Sequence, residues 1–307
     1  MEQQVFERVV AMLHRCRVET RLDVTFSKLT TLGCGGTIAV TAYPDTVRKL
    51  IKTIRLLTKL QVKYYLLGKG SNVLASDAHY DGVVIVTTKM SIISAHGVNF
   101  CAFAGTSTHK IYMETERRGL SGGEFLSCLP ATIGGATVCN AGCYGQQMTD
   151  IVRSVTVLRD GRVRRLSAKR CQFGKRSSIF KNDSRYVVLA VRMKFTPSTA
   201  EAVRSESLEM RRRKADTQPL NFRSAGCALY HEGTSVSRLT DIAGLKGFTI
   251  GGAQVSTKHA GFILNVDKAN SKDIYLTIQH VQRTLWERFG VQAKREICLV
   301  GFDEQNL

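Results

Sequence analysis

The stretch VKYYLLGKGSNVLAS, residues 62–76, decides the fold. It reads as strand, tight loop, strand. A dinucleotide-binding GxGxxG must lie between a strand and a helix whose N-terminus receives the pyrophosphate. Gly68-Lys69-Gly70-Ser71-Asn72 runs into strand instead, which argues against a Rossmann fold. The loop still offers exposed main-chain N–H groups, with no Cβ in the way at Gly68 and Gly70 and side-chain donors at Ser71 and Asn72. An elongated phosphate-bearing cofactor suits it; alone, an ordinary hairpin turn explains it as well.

Upstream, Phe6, Val9, Val10 and Leu13 fall at helical spacing. Val47, Leu50, Ile51, Ile54 and Leu57 form the inner face of a second helix, with Asp45 as its expected cap. VVIVT, residues 83–87, is a further strand. Downstream lies GLSGGEFLSCLPATIGGATVCNAGCYG, residues 119–145, rich in glycine yet too apolar for a linker. Strands IVRSVTVL and VRRLSA follow, joined through Arg159-Asp160-Gly161-Arg162, a clear hairpin signal. RYVVLAVRMKF is another strand, and the polar helix of residues 201–214 marks a domain boundary. The best helix is near the end, with Ser271 as N-cap, Ile274, Ile278, Val281, Leu285 and Phe289 on one face and Gly290 as terminator. VQAKREICLVG then reads as one strand, placing Glu296 on a face with Lys294, Cys298 and Val300.

With 307 residues, 43% of them hydrophobic, the chain can bury a sizeable core in two or three domains. No window approaches the roughly 18 uncharged apolar residues of a membrane span, and MEQQVFERVV has no signal-peptide pattern, so the expected compartment is the cytoplasm. Nine cysteines, an odd number without a CxxC, spell neither a disulfide framework nor a zinc site, and no metal is expected. The net charge of +19 suits an anionic partner. The basic residues are spread thinly apart from Arg211 to Lys214, and no nucleic-acid motif with interleaved aromatics occurs. Nucleotides, phosphorylated sugars and carboxylates are the anions that remain.

Six blocks, TTLGCGG, LGKGSNVLASD, the 119–145 stretch, FGKRSSIF, TQPLNFRSAGC and GLKGFTIGGAQVSTKHAGFILN, resemble in order and spacing the UDP-N-acetylenolpyruvoylglucosamine reductases. These are flavoenzymes of peptidoglycan precursor synthesis, and the chain is similar to their shorter form. The resemblance implies an α+β architecture with an FAD-binding fold of the vanillyl-alcohol oxidase type in two subdomains, residues 1–60 and 61–199. A C-terminal α+β substrate domain, residues 200–307, completes it. The implied cofactor is FAD, the implied reductant NADPH, and the implied state a monomer with neither membrane nor nucleic acid as partner.

By resemblance, FAD lies along Gly68, Lys69, Gly70, Ser71 and Asn72, along Pro130, Ala131, Thr132, Gly134 and Gly135, and along Asn140, Ala141 and Gly142. The implied reaction delivers hydride to the methylene carbon of an enolpyruvyl ether. Negative charge then builds on the neighbouring carbon and its carboxylate, which calls for cationic or acidic donors and a proton source. Arg176 matches the family's catalytic arginine, and its fork of donors suits a carboxylate. Glu296 matches the catalytic glutamate. Cys227 stands at the proton donor, where some members have Ser, and a thiol is the better acid of the two. Lys175, Tyr230, His231, Gln254, Lys258 and Asn265 fall at the sugar-nucleotide pocket, with Ser256 and His259 beside them and Arg211 and Gln218-Pro219 at its entry.

The chain departs from the family at Lys175, where Tyr is usual, at Leu229-Tyr230-His231-Glu232, where Phe-Lys-Asn-Pro is common, at Thr30 for Asn and at Ala131 for Gly. An added methyl at Ala131 requires negative φ there. The competing readings are another FAD oxidoreductase of the same fold with an altered pocket, and a non-catalytic basic protein that binds nucleotide or nucleic acid.

Overall fold

A computed structural model describes residues 1–302. The chain builds two compact units and passes back and forth between them. The first comprises Met1–Thr20, Thr41–Gly68 and Val84–Lys214; the second comprises Arg21–Val40, Lys69–Val83 and the chain from Ala215 onward. Two of the passages fall inside strands, Thr37–Tyr43 and Tyr80–Val86. Among the described residues no helix is long and apolar enough to cross a membrane.

The first unit is organised by a five-stranded antiparallel sheet in the order Arg162–Ser167, Val152–Arg159, Val187–Lys194, Asn99–Phe103, Ile93–His96. The hairpin signal is met: Arg159 pairs with Arg162, and Asp160 and Gly161 take φ of 48° and 71°, the left-handed pair that a two-residue turn between twisted strands requires. The central strand is buried continuously from Val187 to Val191, which explains its unbroken apolar run. Helix Ile133–Val138 packs against it and against Asn99–Phe103, which sets the glycine-rich segment over the sheet. Helix Gln3–Arg15 buries Val9 and Leu13 and packs against Val47–Lys59. The cap of that second helix is Thr46 rather than Asp45. Thr46 is the last extended residue before the helical turn, and its hydroxyl accepts from Lys49 N at 3.2 Å. Asp45, one residue too early, pairs instead with the Lys49 ammonium at 2.8 Å.

The second unit holds a four-stranded antiparallel sheet in the order Arg223–Cys227, Phe262–Asn265, Ala253–Val255, Thr249–Ile250. Helix Ser271–Phe289 covers it. Ile274, Ile278, Val281 and Leu285 are fully buried against Leu74, Val255, Ile263 and Ile297. Each such side chain contributes about 1.5 to 3 kcal/mol by leaving water. The helix ends at Gly290, φ 63°, as its sequence predicts. Its start differs: Asn270 is the N-cap, in a reciprocal box with Asp273, and Ser271 is the first helical residue. Ser271 is free for another task because Asn270 caps. Its main-chain N–H donates to the Asp77 carboxylate, and its hydroxyl accepts from Asp77 N at 3.1 Å.

The strand expected over residues 291–301 is two short strands. Lys294–Arg295 pairs antiparallel with Leu229–Tyr230, whereas Cys298–Val300 pairs parallel with Val73–Ala75. The ladder changes partner at Glu296 and Ile297, so Glu296 sits at a break and not within a period-two face.

Candidate active site

In the first unit the chain from 140 to 181 converges on Arg176. Gly174 and Ser177 exchange main-chain hydrogen bonds of 3.0 and 3.2 Å, leaving Lys175 and Arg176 at the tip of a tight turn. Arg176 takes φ 55°, a left-handed conformation that costs an L-residue with a Cβ roughly 1 to 2 kcal/mol. Three bonds hold it there. The guanidinium Nη1 donates to Gly142 O at 3.0 Å, the Lys181 ammonium donates to Arg176 O at 3.1 Å, and Asn140 Nδ2 donates to Gly174 O at 3.0 Å. Backbone strain that is over-determined by its surroundings is characteristic of functional positions.

Asn140 itself is buried, with φ 42°. Its amide also donates to Gln147 Oε1 at 3.1 Å and accepts from Thr149 N at 3.0 Å. This side chain is a clasp between three segments. Thr132 is likewise employed, capping helix Ile133–Val138 by accepting from Gly135 N. The other leading N–H groups of that helix reach Thr106 O, Ala104 O and Thr132 O, so its N-terminus serves the protein and not a phosphate.

The glycines have a mixed explanation. A Cβ at Gly68 would stand 2.6 Å from Thr132 Oγ1, at Gly134 2.8 Å from Ala104 Cβ, and at Gly142 2.2 Å from Gln146 O. Those three make room for the protein's own close packing. Gly135 is different: it is exposed, and beyond Thr132 Oγ1 at 3.4 Å nothing stands within 4 Å of a Cβ there. With exposed Pro130 and half-buried Ala131, it leaves a length of main chain open to a flat or extended ligand. Ala131 avoids positive φ, so its methyl is accommodated, and its carbonyl accepts from Thr108 N at 3.1 Å. Ala141 closes the helix by donating from N to Ala136 O. These features fit an FAD lying along this loop.

In the second unit the partners of residues 69–72 are equally specific. Lys69 is exposed and Ser71 half-buried, and Gly70, φ 64°, passes so close to Leu29 O that a Cβ would lie 2.1 Å from it. Asn72 Nδ2 donates to Glu296 O at 3.1 Å, Asn72 O accepts from Cys298 N at 3.0 Å, and Glu296 N donates to Ala228 O at 2.9 Å. Cys227 precedes Ala228 on strand Arg223–Cys227, so the ladder brings Cys227 and Glu296 onto neighbouring main chain. The register slips between Ser224 and Cys227, with Gly226 at φ 77°, which re-aims the end of the strand. The Cys227 sulfur lies 3.2 Å, and His259 Cε1 3.1 Å, from where a Cβ on Gly261 would be. Only glycine there lets the thiol and the imidazole approach the same point. Burial draws the His259 pKa below that of a free imidazole, so the ring is neutral at pH 7.

Tyr230 pairs with Lys294, alongside the Glu296 segment, and His231 Nδ1 accepts from Gly233 N at 3.1 Å. Gln254 and Lys258 line a hollow of about 240 Å³ together with Gln218, Pro219 and Phe222. The Lys258 ammonium donates to Ala215 O at 2.6 Å across its rim. Asn265 is a clasp, donating to Leu32 O at 2.9 Å and accepting from Ala269 N at 2.8 Å. Thr30 fills its place by donating to Cys34 O.

One contact escaped the sequence reading. In the first unit the Cys143 thiol, on the hairpin of residues 142–147, donates to Phe125 O of the 3-10 turn Glu124–Cys128 at 3.7 Å.

Residues 38–167 match the model of an FAD-binding domain, and residues 170–300 match that of the UDP-N-acetylenolpyruvoylglucosamine reductase C-terminal domain. The chain is 34% identical to the UDP-N-acetylenolpyruvoylglucosamine reductase of Caldanaerobacter subterraneus subsp. tengcongensis, over 91% of this chain and 93% of that one. It is 34% identical to that of Pediococcus pentosaceus, over 90% and 92%. The crystal structure of the enzyme from Thermus caldophilus superposes with a TM-score of 0.77 at 31% identity, covering 92% of this chain and 99% of the other. The α+β chain therefore combines an FAD-binding fold with the C-terminal domain of the family, and it belongs to the UDP-N-acetylenolpyruvoylglucosamine reductase family.

Proposed function

We propose that this chain is an NADPH-dependent, FAD-containing reductase that converts UDP-N-acetylglucosamine enolpyruvate to UDP-N-acetylmuramate. It works in the cytoplasm as a monomer, with residues 1–60 and 61–199 as the FAD-binding subdomains and 200–307 as the substrate domain. The observation that carries the reading is the ladder placing Cys227 next to Glu296, under the clamp of Asn72. Residues 68–72 and 130–142 would hold FAD, which would supply the hydride once reduced by NADPH. The protein's part is to hold the substrate and manage its charge.

Arg176 grips the enolpyruvyl carboxylate with its planar fork of donors. Its strained turn fixes that fork before substrate arrives, which lowers the entropic cost of the reacting geometry. Glu296 hydrogen-bonds the enolate as charge develops, and Cys227 gives its proton to the carbon next to the one that receives hydride. Neutral His259, beside the thiol, places no second cation against it. Lys175, Tyr230 and His231 stand where the diphosphate is gripped, and Gln254 and Lys258 shape the nucleotide hollow.

Oxygen-free mixing of the NADPH-reduced enzyme with UDP-N-acetylglucosamine enolpyruvate tests this. The flavin should reoxidise as substrate is consumed. A flavin that is reduced by NADPH yet stays reduced with this substrate would give the site to a different acceptor, selected by Lys175, Tyr230 and His231. A colourless protein that binds polynucleotide with steep salt dependence would end the enzymatic reading altogether.

A further inference from the structure

We propose that the solvent face of the five-stranded sheet docks the protein reversibly on membrane surfaces rich in anionic phospholipid. Cross-strand pairing fixes which side chains share that face. One row runs Ser94, Cys101, Arg192, Ser154, Ser167, each opposite the next, across all five strands. Two residues along the strands in one direction stand His96, Asn99 and Lys194. Two residues in the other direction stand Phe103, Ala190, Thr156 and Arg165. The period of two keeps these rows on one side, and of their members only Ala190 is buried. The alternate side chains Phe100, Ala102, Val191, Met193 and Val155 are all buried, so the sheet has one core face and one wet face.

The wet face is positively charged and carries no acid. Val152–Arg159 holds two arginines, Arg162–Ser167 three, and Val187–Lys194 an arginine and a lysine, while none of the five strands contains Asp or Glu. Arg165, Arg192 and Lys194 are exposed on the face, and among the described residues no carboxylate pairs with any of them. The acids nearest in sequence are engaged elsewhere. Asp160 and Asp183 face Arg159, Asp183 also pairs with Arg185 at 2.8 Å, and the Asp150 carboxylate accepts from Gln147 N at 2.8 Å. Apolar side chains stand at both edges. Ile92, whose carbonyl accepts from Phe103 N at 3.0 Å, is 50% exposed, and Val163, two residues from Arg165, is 52% exposed.

This combination selects a lipid surface. The cations are scattered in two dimensions over five strands about 20 Å wide, so they meet separate headgroups of a plane. A polynucleotide asks instead for cations along one track with stacking rings, and the one ring here, Phe103, is half-buried. A protein partner asks for an apolar centre within a polar rim, the reverse of what this face offers. Each Lys or Arg held near an anionic leaflet strengthens binding about fivefold, and Ile92 and Val163 can enter the headgroup layer at the edges. Such a partner is one that the family resemblance does not imply, and the docking is independent of the reaction proposed above.

Flotation of the holoprotein with vesicles tests this. Vesicles of phosphatidylglycerol and phosphatidylcholine in equal parts should carry the protein at about 0.05 M salt and release it at about 0.5 M, and pure phosphatidylcholine should not carry it. Arg165→Gln, Arg192→Gln and Lys194→Gln together should lower the partition coefficient about a hundredfold, and Arg165→Gln alone about fivefold, with the unfolding midpoint unchanged. Neutralising Lys246, Lys272 and Arg283, three exposed cations of the second unit, should change it no more than about twofold. Equal losses from both sets would reduce the effect to the overall charge of +19 and overturn the face. So would a protein that floats with neither vesicle, or one that prefers polynucleotide to anionic vesicles and loses it through the same three substitutions.

Discussion

Two asparagines set among glycines, Asn140 in the first unit and Asn72 in the second, brace the main chain beside the proposed catalytic residues by different means. Asn140 does so with its side chain alone, which makes three hydrogen bonds from a buried position and holds a turn containing a left-handed arginine. Asn72 contributes one amide bond and its own carbonyl to a ladder in which Ala228, Glu296 and Cys298 also take part. Arg176 therefore depends on a few side chains, whereas Cys227 and Glu296 are carried by shared backbone pairing. The first arrangement can be disturbed by single substitutions; the second resists them.

The sharpest use of this contrast is to remove chemistry from the robust side without harming the fold. Cys227→Ala should slow consumption of the enolpyruvyl substrate by about 10² to 10⁴, the usual loss when an acid catalyst is deleted. Reduction of bound FAD by NADPH should stay near that of the parent protein. Stopped-flow measurement of each half-reaction separates the two; equal slowing of both would make Cys227 a structural thiol.

The fragile side should respond in stability. Asn140→Ala leaves the Thr149 N–H without its partner in a half-buried place, at about 1 to 3 kcal/mol, whereas the exposed Gly174 carbonyl keeps its bond from Ser177 N. A loss of roughly 1 to 3 kcal/mol is expected in denaturant unfolding, together with reduced turnover as Arg176 loses its turn. Asn72→Ala removes the side-chain bond to Glu296 O while the ladder's main-chain bonds remain, so the cost of that bond should be about 0.5 to 1.5 kcal/mol. If the two substitutions cost the same, the distinction between clasp and ladder fails.

What could be read from the chain follows the same division. The Arg159-Asp160-Gly161-Arg162 turn, the strands flanking Gly68 to Asn72 and the Gly290 stop are set by local backbone chemistry, and each is where the residues place it. Both helix caps fell one residue from expectation, because adjacent Asp45-Thr46 and Asn270-Ser271 pairs all have capping side chains; Asp45 is taken by the Lys49 ammonium of the same helix, and Ser271 by Asp77. The break at Glu296 was illegible for a plainer reason: nothing within 291–301 announces that the pairing partner changes. The glycines of 119–145 were legible as a demand for space, but sequence cannot say what fills it. Gly68, Gly134 and Gly142 yield to protein, and the open backbone at Gly135 is what remains for the proposed cofactor contact. The bond from the Cys143 thiol to Phe125 O lay hidden because it spans a helix and a hairpin.

The smallest effect concerns His259, which shares the space over Gly261 with the Cys227 thiol. Burial, and more weakly the charge of Lys246, lower its pKa from the ordinary imidazole value of 6.5. An unfolded chain then binds more protons than the folded one between that depressed value and 6.5, so stability must fall as pH drops through this window and be complete above it. His280, also lowered chiefly by burial, adds a slope of the same sign. His259→Gln should therefore flatten the decline in unfolding midpoint between pH 7 and pH 5 without abolishing it. If the variant and the parent lose stability in parallel over that range, the imidazole is not held neutral by the fold, and the thiol beside it has a cation for a neighbour in mild acid.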